Sequence, residues 1–190
     1  HHANAKPKET PYGTLLVTSL AQFRSDFTIV QIPDGDLESA KPQLFTNINL
    51  LRMGCSGRSG LTLEEPSDTT KDRFISTYYL PDNHLAGPGK TPSLFNHTVL
   101  ELVKLVQVSL HIFGYYKSSS FDGLLCESTV EALRLWVKDV GELVEGLDSM
   151  ERTADARTVA SLLSLVLAVR NRLVGLSGST NVRCLNHYSS

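Results

Sequence analysis

The pattern of apolar positions changes character once along the chain. Before Pro81 the apolar runs are short and tend to alternate with polar residues; after Ser93 they recur every three or four residues. Alternation is the mark of a half-buried strand, and a spacing of three and four is the mark of a helix with one packed face. Thr14–Thr18 is therefore expected as a strand. Phe27–Ile32 is the clearest strand of all, with Phe27, Ile29 and Gln31 on one side and Thr28, Val30 and Ile32 on the other. Leu44–Met53 is ambiguous, but Ile48, Leu50 and Leu51 favour a strand in this setting. Leu61–Leu63 and Arg73–Leu80 complete the set. An antiparallel sheet of about four strands is the expectation. Between the strands, Ile32–Asp36 carries turn chemistry, since Asp34-Gly35 tolerates positive φ. Gly54–Gly60 reads as a glycine-rich hairpin loop; the alternative is a nest of backbone N–H groups that holds a phosphate, with Arg58 adding charge.

Pro81–Ser93 gathers Pro81, Gly87, Pro88, Gly89 and Pro92, which no central strand or helix interior accommodates. It is a linker or a shortened loop. A helix capped by Ser93 or Asn96 is expected to follow and to run to about Phe113. Val103, Val106, Gln107 and Leu110 share one face of it, and Leu102, Leu105, Val108 and Ile112 widen the stripe. Gly114 ends it. A second helix is expected from Ser128, with Ser128 and Glu131 as a capping box, Leu133 and Trp136 on the inner face, and Gly141 as the stop. A third runs from Ala156 or Thr158 to Val174, packing Val159, Leu162, Leu163, Val166, Val169 and Leu173 inward before a cap at Gly175. The fold class is thus α+β. An N-terminal antiparallel β region (12–80) and a linker (81–93) precede a compact helical domain (94–176). A flexible lead-in (1–11) and a polar tail (177–190) bracket them, and His1-His2-Ala3-Asn4-Ala5 reads as the remnant of a purification tag.

Composition narrows the function classes more than it selects one. The chain has 190 residues, 41% hydrophobic and 20% charged, with a formal net charge of -2. That is a folded protein without a global basic field, so no nucleic-acid partner is expected. The Leu162–Val174 run is short and interrupted by Arg170 and Arg172, so no membrane span is expected either. Cys55, Cys126 and Cys184 are an odd number of well-separated cysteines, which reads as reduced thiols and an intracellular, cytoplasmic or nuclear address. Acidic neighbours Asp122 and Glu127 are expected to raise the Cys126 thiol pKa. Asn96-His97-Thr98 is a glycosylation sequon in form only. The Gly89-Lys90-Thr91 run lacks the glycine spacing and the flanking strand and helix of a phosphate loop. No residues combine a nucleophile elbow with a base and a carboxylate, and no spacing of His and Cys fits a metal. No enzyme activity, metal or cofactor is expected. The paired aromatics Tyr78, Tyr79, Tyr115 and Tyr116, with Phe121 and Arg58, are the candidate ligand-binding residues, because tyrosines beside loops are frequent in binding surfaces.

Val103, Val106, Gln107, Leu110, Gly114, Tyr115, Tyr116, Asp122, Gly123, Ser128, Thr129, Ala132 and Trp136 also follow an order and spacing seen elsewhere. Over residues 103–136 the chain resembles the repeat of the peptidoglycan-binding-like domain, a small three-helix fold. The resemblance implies a helix, a glycine exit, an Asp-Gly turn and a second helix. It also implies a frame that binds cell-wall glycan peptides or serves as a protease propeptide. Cys126 and the loop Lys117-Ser118-Ser119-Ser120 depart from that pattern. The expected function is a non-enzymatic protein-interaction or scaffold module of a larger intracellular eukaryotic protein. Its partner is another protein or a second copy of itself. A glycan- or peptidoglycan-binding module, or an accessory domain of a hydrolase, is the alternative.

Overall fold

A computed structural model describes residues 6–11, 13–17, 30–57, 62–81, 92–142 and 154–177. The order of elements is β1 (Lys6–Thr10), β2 (Gly13–Val17), a 3₁₀ turn (Pro33–Gly35), α1 (Leu37–Arg52), α2 (Asp68–Thr77), α3 (Pro92–Ile112), α4 (Glu127–Trp136), a π-helical turn (Val137–Gly141) and α5 (Ala156–Ser177). The class is α+β, and most of it is helix. The sheet is one antiparallel hairpin in which Lys6 pairs with Val17 and Thr10 with Gly13. Lys6–Thr10, expected as a flexible lead-in, is thus a strand. Thr10 Oγ1 donates to the Gly13 carbonyl at 2.7 Å, which closes the hairpin end.

Among the described residues, helices stand where most of the larger sheet was expected over 12–80. Leu44–Arg52 lies in α1, with Met53 as its C-cap, and Arg73–Thr77 lies in α2. Leu63 is in an irregular bend, and of Phe27–Ile32 only Val30, Gln31 and Ile32 are described, outside any strand. The reason is visible at the helix starts. The Asp36 carboxylate accepts from the Ser39 N–H and hydroxyl, and the Ser39 bonds hold its pKa below the usual carboxylate range. Ser67 Oγ accepts from the Thr70 N–H at 3.3 Å. Each satisfies donors that a helix start leaves open.

The chain divides into two compact units, 1–100 and 101–190. In the first, Leu50, Met53, Phe74, Ile75, Phe95 and Val99 are buried. Phe74 meets Phe95 edge-on at 5.6 Å between ring centroids. Beside this apolar cluster runs a chain of amides. Asn96 Nδ2 donates to Gln43 Oε1 (2.9 Å), Gln43 Nε2 to Asn47 Oδ1 (3.2 Å), and Asn47 Nδ2 to the carbonyls of Thr62 (2.7 Å) and Glu64 (2.9 Å). These bonds tether the irregular segment after α1, because a buried amide is costly unless paired. Asn96, expected as a helix cap or a sequon, is 6% exposed inside α3.

In the second unit Val103, Val106, Leu110, Leu125, Leu133, Trp136 and Leu162 form the core. Trp136 is fully buried and its Nε1 has no hydrogen-bond partner. α4 starts one residue earlier than expected, with Cys126 as its N-cap. The capping box does not form, because Glu131 instead pairs with Arg134 at 2.8 Å. Gly141 closes the π-helical turn. Asp155 caps α5, accepting from the N–H groups of Arg157 and Thr158 and from the Thr158 hydroxyl. α5 then runs through Gly175, the expected stop, to Ser177. Leu163 and Val166, expected in the core, are only partly buried, and Val169 and Leu173 are exposed.

Candidate functional site

Three helices end in the same hydrogen-bond arrangement. After α1, the Gly54 N–H donates to the Leu51 carbonyl and the Cys55 N–H to the Leu50 carbonyl. After α3, the Gly114 N–H reaches His111 and the Tyr115 N–H reaches Leu110. After α2, the Tyr79 N–H reaches Ser76 and the Leu80 N–H reaches Ile75. This paired closure needs its pivot residue at positive φ, and glycine adopts that without a side-chain penalty. Gly54 stands at φ 73 and Gly114 at φ 83, whereas Tyr79 takes φ 52. A side chain in that region costs about 1–2 kcal/mol. The Tyr79 ring recovers nothing by packing, since it is 92% exposed. Tyr78 beside it packs tilted against Phe74, with 5.1 Å between ring centroids, and is half-buried. A groove of about 620 Å³ lies between Tyr79, Leu80, Ser76, Arg73 and Asp72, with Ile75 at its base.

The other expected aromatics lie in the second unit and serve its loop. Tyr116 is 6% exposed, and its carbonyl lies 2.9 Å from His111 Nδ1. Phe121 is half-buried, edge-on to His111 and tilted against Tyr116. Tyr115 reaches Asp139 Oδ2 at 3.3 Å, and partial burial with the Asp139 charge holds its phenol above the ordinary value. The loop is organised by Gln107, which is fully buried. Its Nε2 lies within hydrogen-bond distance of Asp122 Oδ1 (2.8 Å), the Leu124 carbonyl (3.1 Å), Thr129 Oγ1 (3.2 Å) and the Tyr116 hydroxyl (3.4 Å). Its Oε1 accepts from the Gly123 N–H at 3.0 Å. Asp122 is exposed but accepts from the Leu124 N–H, and Thr129 is buried. Arg58 lies outside the described residues, as do Cys184 and the Gly87–Thr91 run.

A polar cavity of about 230 Å³ in the first unit is lined by Asn47, Ser56, Thr62, Glu64, Ser67 and Thr70, among others. The Ser56 hydroxyl is buried there without a hydrogen bond. No cluster of His, Cys, Asp and Glu with metal-ligand geometry occurs among the described residues. The two described thiols differ. Burial pushes Cys55 up to about 11. Cys126 is partly exposed at the start of α4; burial raises its pKa, but hydrogen bonds with Ser128 and Thr129 outweigh that and leave it below the ordinary value. The acidic neighbours do not dominate, contrary to the sequence expectation.

A family model described as "STB6-like, N-terminal domain" matches residues 1–53. Protein STB6 of Saccharomyces cerevisiae is 32% identical over 192 residues, covering 90% of this chain and 25% of its own length. Protein STB2 of the same yeast is 30% identical over 196 residues, covering 90% and 23%. The chain therefore spans about a quarter of the length of the curated relatives it matches. No solved structure matches it. These matches replace the resemblance to a peptidoglycan-binding-like domain, which none of them indicates. The likeness over 103–136 has a local cause. A helix closed by Gly114, a turn at Asp122-Gly123 and a glutamine bonded to both that turn and the next helix produce the same residue spacing for structural reasons. Neither relative's name denotes a reaction.

One described helix, α5, is long and apolar enough to cross a membrane by length and composition. The apolar run Leu162–Val174 lies within this helix, which begins at Ala156 and continues past Gly175 to Ser177.

Proposed function

We propose that this chain is a non-enzymatic protein-interaction or scaffold module of a larger intracellular eukaryotic protein, cytoplasmic or nuclear. The observation that carries the reading is Tyr79. Two helix ends of the same geometry use glycine, and the third keeps a tyrosine in the same backbone state with its ring in solvent. Backbone strain retained at an exposed aromatic is what a contact residue costs before its partner arrives. The groove beside it supplies Arg73 and Asp72 for a polar rim around that ring. The eukaryotic setting is supported by the yeast relatives, and their greater length supports a larger parent. Burial of Asn96 argues against use of the sequon, which fits an intracellular address.

A photo-crosslinking amino acid at position 79 of the full-length gene product, expressed in its own cells, tests the reading. Discrete protein adducts identified by mass spectrometry are expected. A control probe at exposed Lys117 should not give them. Identical, diffuse labelling from both positions overturns the proposal.

A further inference from the structure

The stripe of α5 that packs in its first half continues through its second, where its side chains are exposed. Thr158, Val159 and Leu162 are buried, and this part of the helix packs on the π-helical turn Val137–Gly141. At the same spacings of three and four, the stripe goes on through Leu165 and Val166 to Val169, Leu173 and Leu176. Those last residues are 38%, 60% and 79% exposed. From Leu167 to Leu176 every residue is exposed. Arg170 follows Val169 and Arg172 precedes Leu173, so each arginine lies about 100° from the stripe and the two stand on opposite edges of it. The whole helix holds three arginines and no acidic residue.

We propose that the second half of α5 docks an amphipathic helix of a partner protein whose apolar stripe is edged by Asp and Glu. This rests on the interaction reading above and adds a second surface to it. Charge at the edges of a helix–helix seam selects the partner. A second copy of α5 brings only arginines to those edges, so self-pairing sets like charges together. A bilayer is a poorer occupant. The exposed stretch rises about 15 Å, half of the roughly 30 Å hydrocarbon core. Spanning would require Val159 and Leu162 to leave the protein core, and it would place both arginines in lipid. An acidic amphipathic helix covers the stripe and pairs both arginines at once.

The test uses the 190-residue chain and two labelled three-heptad peptides with leucine at a and d, one with Glu and the other with Lys at e and g. The Glu peptide is expected to bind about tenfold or more tightly than the Lys peptide. Leu176→Asp should weaken it about tenfold. The surface double variant Arg170→Glu/Arg172→Glu, which leaves the packed half intact, should reverse the preference. Equal binding of both peptides, binding of neither, or a preference that survives the arginine reversal overturns the proposal. So does sedimentation of the chain with phosphatidylcholine–phosphatidylserine vesicles, or a dimer abolished by Leu176→Asp. Position-79 adducts that persist alongside a negative peptide result remove this surface alone. Loss of both removes the interaction reading too.

Discussion

The ends of α2 and α3 use the same backbone hydrogen bonds and do opposite things with them. At α3, Gly114 turns the chain back into its own unit, where Tyr116 is buried and Gln107 fastens the loop. At α2, Tyr79 performs the turn and presents its ring to solvent. One end spends its residues on cohesion; the other keeps strain at the surface. The difference separates tyrosines that hold a fold from a tyrosine available to something else, a distinction that residue type alone does not make.

The strongest way to break the contrast is to remove the fastening at α3. Gln107→Ala removes the acceptor of one Gly123 N–H bond and the amide donor shared by Asp122, the Leu124 carbonyl and Thr129, and it opens a cavity. A loss of about 3 kcal/mol is expected, read as a shift in the urea midpoint. A loss below about 1 kcal/mol would mean that the loop is held by other contacts.

The thiols sharpen the same point at a third helix end. Cys55 follows the glycine closure of α1, is buried, and has its pKa pushed up to about 11. Cys126 is partly exposed with its pKa lowered. Thiolate is the reactive form, so lowering the pKa raises the reactive fraction at pH 7.5 and raising it depletes that fraction. Alkylation of Cys126 by iodoacetamide in the folded chain should outpace that of Cys55 by about tenfold or more. Equal rates, followed by mass spectrometry, would show the α1 end opening as readily as the surface.

How much of this was legible beforehand follows from where the signals are local. The second unit was readable: the three-and-four spacing of Val103, Val106 and Leu110, the exit at Gly114 and the Asp122-Gly123 turn are each written within a few residues. The class, α+β, was also readable, from the hairpin strand at Gly13–Val17. The first unit misled. α1 contains Pro42 and buries Asn47 and Asn49 beside Leu50, so its inner face does not look apolar. The bonds that satisfy Asn47 come from Gln43 one turn earlier and from the carbonyls of 62 and 64, and Gln43 is held in turn by Asn96, distant in sequence. Likewise, a spacing rule cannot tell that the α5 stripe outruns the core it packs on. At the candidate site, Tyr79 was visible only as half of a tyrosine pair; its positive φ is a property of the closure, not of the letters. The Asp-Gly frame does not mark the family; in this chain the same residues serve local bonds, with Gln107 holding the Gly123 N–H and lying 3.2 Å from the Thr129 hydroxyl.

At α3, Gly114→Ala asks what the closure costs when glycine is withdrawn. A Cβ there meets nothing within 4 Å, so only the backbone penalty remains. A loss of about 1 kcal/mol is expected by thermal or chemical denaturation. A much larger loss would reveal a steric role instead.

The reverse exchange, Tyr79→Gly, carries the smallest stability change and the sharpest meaning. Glycine relieves about 1–2 kcal/mol of left-handed strain, and its freer unfolded chain gives back about 0.5–1 kcal/mol. The ring buries almost nothing in the free chain, so no packing loss enters. The variant should therefore be more stable than the parent by about 0.5 kcal/mol while losing whatever the ring contacts. Tyr79→Asn, which tolerates the same φ, separates the two effects, since it should gain stability without the entropy penalty and lose the contact equally. A Tyr79→Gly chain that is destabilised by 1 kcal/mol or more would show that the ring supports the fold after all. The two helix ends would then differ in residue but not in purpose.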